Sequence, residues 1–70
     1  MMTVKVNNLP ESAAHKKWIV VRVVDDQAWY FSAWRYDQEA EAREQARQFG
    51  GLVVENTDWL KDVFEGVVTP

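Results

Sequence analysis

Seventy residues with no cysteine and one histidine exclude disulfide-stapled scaffolds, zinc ribbons, CxxC redox chemistry, thiol nucleophiles and His-based metal sites. Eight Lys and Arg against eleven Asp and Glu give a net charge of −3 and a pI near 4.9, which disfavours nucleic-acid binding through the whole surface, because phosphate neutralisation needs a clustered positive face. Four Trp in a chain this short must supply cohesion at a core or an interface, since a single core of this size rarely contributes more than about 3 to 5 kcal/mol without a staple.

Charge is unevenly spread. Residues 1–36 hold five basic and three acidic side chains, and residues 37–70 hold three basic and eight acidic ones. The opening residues lack the apolar core of a signal peptide, and no run approaches the roughly 18 apolar residues that span a bilayer. The expectation is a soluble, cytoplasmic single domain covering 1–70, with no membrane association.

In chain order, residues 1–17 read as an N-terminal arm and loop: a short extended piece from Thr3 to Val6, then Asn7-Asn8 and Pro10, which break any periodicity. Trp18 to Val24 is β-branched and apolar on both faces, the pattern of a central strand covered above and below. Asp25-Asp26-Gln27 is a turn, and Ala28 to Trp34 is a second, aromatic-rich strand, so 18–34 reads as a β-hairpin.

Asp37 is the expected N-cap of a helix over Gln38 to Phe49, whose Glu, Ala, Arg and Gln are good helix formers. Glu39 and Glu41 come early and Arg43 and Arg47 late, as the helix dipole favours, and Gly50 is the stop. Ala42, Ala46 and Phe49 share a face opposite Ala40. An alanine stripe lets a helix lie close to large facing side chains, and the expected partners are Trp29, Phe31 and Ala33 with Ile19, Val21 and Val23 or their neighbours.

Leu52 to Glu55 is a third strand. A right-handed crossover sets it parallel to the second strand and beside the first, giving the order 2-1-3. Asn56-Thr57-Asp58 caps a second helix from Trp59 to about Glu65, amphipathic through Trp59, Leu60, Val63 and Phe64, with Gly66 as its stop. The expected fold is therefore α+β: a small ββαβ(α) domain with a three-stranded, mainly antiparallel sheet and one helix on one face. Its core is 18–56, followed by a short C-terminal amphipathic helix over 57–66 and a tail over 67–70.

One helix covers one side of such a sheet. The other side would show Trp18, Val20, Arg22, Val24, Tyr30, Ser32 and Trp34, too apolar to leave in water. Three covers fit: the second helix folded back, a protein partner or second copy, or single-stranded nucleic acid. In the last, Trp18, Tyr30 and Trp34 would stack bases while Lys16, Lys17, Arg22 and Arg35 meet phosphates. The acidic second half and the lack of an RNP-like motif oppose that third reading.

Sites for chemistry are lacking. Ser12 and Ser32 sit in no Gly-x-Ser-x-Gly elbow, and His15 is a loop residue beside two lysines. Asp58, Asp62 and Glu65 form a solvated helical face without the tight Gly-containing loop of a hard-cation site. Asp25-Asp26 is a turn signal, and Gly50-Gly51 lacks a P-loop lysine. With no catalytic residue, cofactor or metal to assign, the expected function is a non-enzymatic protein–protein interaction module, self-associating or binding a partner protein. An aromatic sheet face or an acidic helix face would make the contact, through Trp18, Arg22, Tyr30, Trp34, Arg35, Asp58, Trp59, Asp62 and Glu65. A different class also fits: an inhibitor of phage or mobile-element type, anti-CRISPR-like or DNA-mimicking. It would present Glu41, Glu44, Glu55, Asp58, Asp62 and Glu65 to the basic surface of a nucleic-acid-handling protein.

Overall fold

In the computed structural model, which describes residues 4–57 and 66–69, the Val-rich strand β2 (Trp18–Val24) is the axis on which everything else is hung. Ile19, Val20 and Val21 have no exposed surface, so consecutive side chains that point to opposite faces are all covered. Each such aliphatic side chain is worth about 1.5 to 3 kcal/mol when fully buried. Around β2 are β1 (Val6–Asn7), a 3-10 helix (Glu11–His15), β3 (Gln27–Trp34), α1 (Glu39–Phe49), β4 (Leu52–Asn56) and β5 (Gly66–Thr69). The domain is α+β, with one helix and a mixed five-stranded sheet among the described residues, ordered β1-β3-β2-β4-β5. β1 runs parallel to β3; the other neighbours are antiparallel.

The β2–β3 hairpin closes at Val24 opposite Gln27 through a two-residue turn in which Asp25 and Asp26 both have positive φ, 52° and 64°. Two left-handed residues make the primed turn whose twist matches the flanking strands, and Asp tolerates that region better than most residues. Further along, Val20 faces Ser32 but Val21 faces Tyr30, leaving Phe31 as an extra residue. This β-bulge changes which β3 side chains share a face.

Two small cores result. Under α1 lie Trp18, Val20, Val53 and half-buried Trp34, packed against Ala42 and Ala46. On the opposite face Ile19, Val21 and Val54 meet Val6 and Ala13, with Leu9, Ala28, Tyr30 and Ala33 packed around them. The N-terminal segment is therefore a cover for the second sheet face. It also laces the sheet: the Val4 N–H donates to the Gly66 carbonyl at 2.8 Å, joining the chain just before β1 to β5, although the two strands are at opposite ends of the strand order. The sheet curls around the second core.

At the end of α1, Gly50 is left-handed (φ 74°), and the Ala46 carbonyl accepts from the N–H groups of Gly50 and Gly51, the Schellman arrangement. A Cβ on Gly51 would lie 2.6 Å from both the Val21 carbonyl oxygen and the Phe49 ring, so only glycine lets the chain pass from α1 into β4 there. Asn56 is fully buried: its side-chain amide donates to the Lys16 carbonyl at 3.2 Å and its backbone N–H to the Lys17 carbonyl at 2.7 Å, fixing the end of β4 to the start of β2.

Several expectations are corrected. The sheet is five-stranded and mixed; the three expected strands are its central members, β3-β2-β4. The helix rests on Trp18, Val20 and Trp34, the side expected to be open, because the Trp N–H groups find acceptors there and the bulge at Phe31 breaks the assumed alternation. Residues 66–69, expected as a helix stop and tail, form β5 against β4. The expected helix over 57–66 otherwise falls on residues outside those described, apart from Thr57 in a turn. The helix begins at Glu39 with Gln38 at its cap, while Asp37 lies near Arg35 at 3.5 Å and makes no side-chain cap.

Replacing Asn56 with Leu removes the bond to Lys16 and leaves that carbonyl unpaired, and it should lower stability in urea unfolding by about 1 to 3 kcal/mol. Gly51→Ala should be destabilising by about 1 to 3 kcal/mol through the backbone clash with Val21, whereas Gly50→Asn, which tolerates positive φ, should cost less.

Candidate interaction surface

Two tryptophans are structural in different degrees. Trp18 is 6% exposed; its indole N–H donates to the Tyr36 carbonyl at 3.1 Å, just before α1. The Arg43 guanidinium lies over its ring at 5.9 Å and is itself bonded to Glu39 at 2.8 Å, while Lys17, at 5.3 Å from the ring, reaches Glu55 at 3.6 Å. Trp34 is half-buried, its N–H shared between the Ser32 hydroxyl at 2.9 Å and Gln45 Oε1 at 3.3 Å, and the Ser32 hydroxyl in turn donates to Gln45. This triad ties β3 to the middle of α1.

The expected contact residues do not converge. Trp18 is in the core beneath the helix, Tyr30 is half-buried on the opposite face, and Trp34 flanks α1. Arg35 is exposed beside Asp37, and Arg22 is exposed near the hairpin tip. The base-stacking set Trp18, Tyr30 and Trp34 is thus split between two faces. Asp58, Trp59, Asp62 and Glu65 lie outside the described residues. Of the acidic set, Glu41 and Glu44 border a depression of about 400 Å³ with Trp34, Ala40, Gln45 and Gln48. Glu44 makes a two-pronged contact with Arg47 at 2.7 Å. The hydrogen bonds from Arg47, then its positive charge, hold the Glu44 carboxyl below the ordinary carboxylate range, and the same contact raises Arg47. Glu55 is half-buried against Lys17.

Apart from Tyr36, which is exposed between β3 and α1, exposed apolar area gathers toward the far end of the hairpin. β2 and β3 have seven and eight residues, roughly 24 to 27 Å of strand, whereas the eleven residues of α1 span roughly 16 Å. The helix cannot reach the tip. On its side of the overhang Val24 (44% exposed), Trp29 (43%) and Phe31 (50%) stand in water, with Phe31 packed on Phe49 at a ring-centroid distance of 4.5 Å. Arg22, Val24, Asp25, Gln27 and Trp29 line a shallow depression of about 400 Å³. On the opposite side Val23 (49%) and Leu52 are also exposed. Trp29 and Phe31 had been expected buried under the helix; both are exposed instead, Phe31 against Phe49 at the helix end, and the strand-to-helix length mismatch is the sequence signal for the overhang.

Among the described residues no group of three or more His, Asp or Glu is arranged to hold a metal ion, and no helix is long and apolar enough to cross a membrane. No family model, curated protein or solved structure matches this chain.

The division between structural and displayed aromatics is measurable. Trp18→Ala should cost about 3 to 5 kcal/mol in denaturant unfolding, while Trp29→Ser together with Phe31→Ser should change stability by about 1 kcal/mol or less. The Glu44 contribution is present above the ordinary carboxylate range and is lost as pH falls through its lowered value. A carboxyl-detected titration should therefore place Glu44 below the ordinary glutamate range, and Arg47→Gln should return it toward that range.

Proposed function

We propose that this chain is a small non-enzymatic module that binds protein through the overhanging end of the β2–β3 hairpin. The observation that carries the reading is the exposure of Val24, Trp29 and Phe31 beside Arg22 on one side of the hairpin end; of the other exposed large apolar side chains, Phe49 packs on Phe31, Val23 and Leu52 lie on the opposite side, and Tyr36 stands apart before α1. Aromatic and Arg side chains are the types enriched at the energetic centres of protein interfaces, and an apolar patch rimmed by polar groups is costly to keep in water. The hairpin is a suitable platform because its base is fixed from both sides, by α1 and by the N-terminal segment.

The acidic-face reading, in which carboxylates imitate a phosphate backbone, draws on Glu41 and Glu44 along α1. It is weakened by the pairing of Glu44 with Arg47 and of Glu55 with Lys17.

Capture of binding proteins on immobilised chain, compared between the native sequence and the Trp29→Ser/Phe31→Ser variant, separates these readings. Loss of specific capture with the hairpin variant, while Glu41→Lys/Glu44→Lys retains it, is the expected result. The reverse pattern overturns the hairpin reading in favour of the acidic face.

A further inference from the structure

Resting on the hairpin reading, we infer that the partner docks by a short segment carrying an Asp or Glu beside a large apolar side chain: the carboxylate accepts from Arg22, and the apolar group covers Trp29, Val24 and Phe31. The size of the patch points to a segment rather than to a second copy of the chain. Val24, Trp29, Phe31 and Phe49 each expose half of their surface or less. With about 150 to 250 Å² in a whole aromatic side chain, the four fall short of the roughly 800 Å² that each partner buries in a standard stable interface.

The groups left unsatisfied in the depression are mostly donors. Arg22 stands opposite Trp29 in the β2–β3 register, so their side chains share one face. The Arg22 guanidinium has no ion pair or hydrogen bond among the described residues, and the Trp29 indole N–H, unlike those of Trp18 and Trp34, has no acceptor among them. Gln27 accepts from Asn7 Nδ2 at 3.2 Å through its Oε1, which leaves its NH2 to donate. Three donors around an apolar floor call for an acceptor, and the guanidinium fork matches the two oxygens of a carboxylate.

Charge sets where that carboxylate can sit. Asn7 reaches Gln27 on this side of the sheet, and alternation along the chain brings exposed Lys5 to the same side, again without an ion pair among the described residues. Asp25 borders the depression at the turn, with Asp26 next to it. An acidic group is therefore drawn to the end where Arg22 meets Trp29 and is repelled from the tip. A single carboxylate meets that requirement, whereas a phosphate backbone crossing the face would meet the turn carboxylates as well. An apolar neighbour of the acid, resting on Trp29, takes water away from the ion pair and so strengthens it.

Selection from a displayed random-heptapeptide library on the immobilised full chain provides the test. The native chain should enrich peptides with Asp or Glu close to Leu, Phe or Trp, and Arg22→Glu should exchange that acid for Lys or Arg. For one enriched peptide made synthetically, Kd should rise at least tenfold with Arg22→Gln and with Trp29→Ser, rise with added salt, and fall about threefold with Asp25→Asn, which keeps the positive φ of the turn. Enrichment of neutral or basic peptides by the native chain, a preference indifferent to Arg22, or tighter binding of oligo-thymidylate than of any acidic peptide overturns the acidic-segment inference. The absence of any enriched peptide overturns it too, and the hairpin reading then stands or falls with the protein capture described above. Peptide binding that survives Trp29→Ser together with Phe31→Ser overturns the hairpin reading as well.

Discussion

Complete burial of β2 on two faces is the constraint from which the architecture follows. A strand apolar on both sides cannot sit at the surface of a two-layer domain, and α1 closes only one side. The second side is closed by Val6, Leu9 and Ala13, carried by a segment with little regular structure of its own: a two-residue strand and one 3-10 turn. That segment is held by its contacts rather than by its propensity. Its parallel pairing with β3 and the Val4–Gly66 bond place it where the uncovered Ile19, Val21 and Val54 need it.

The choice of which face receives the helix is made by the tryptophans. An indole is a large apolar body with one obligatory donor, and burying it without an acceptor is expensive. Trp18 and Trp34 both find acceptors close to the helix, in the Tyr36 carbonyl and in the Ser32–Gln45 pair, while the alanine stripe leaves room for their rings. Trp29, toward the hairpin tip, has a different environment, and the difference comes from length: the hairpin strands exceed the helix by about 8 to 11 Å, roughly two to three residues of each strand.

Much of this is legible in the residues. The unbroken β-branched run marks 18–24 as central, helix formers bounded by Gly50 mark α1, and Asp-Asp marks the hairpin turn. What is illegible is parity. A single extra residue at Phe31 exchanges the faces of part of β3, and a period of two carries no sign of it. Nor does composition reveal that Gly66 begins a strand: glycine reads as a stop, and the Val67-Val68 signal behind it is two residues long. The overhang was accessible in principle, by comparing strand and helix lengths. The cover supplied by residues 4–15 was not, because its apolar positions are too sparse to show a period.

A sheet with bare ends invites endless addition, each new strand exposing another, which is the route to fibres. Here the bond between Val4 and Gly66 brings the two ends of the strand order toward each other. Along β3, Tyr30 to Trp34 lie beyond the reach of β1, which is itself two residues long. A very short end strand is one way in which a chain with nine aromatic side chains in seventy residues limits edge-to-edge addition.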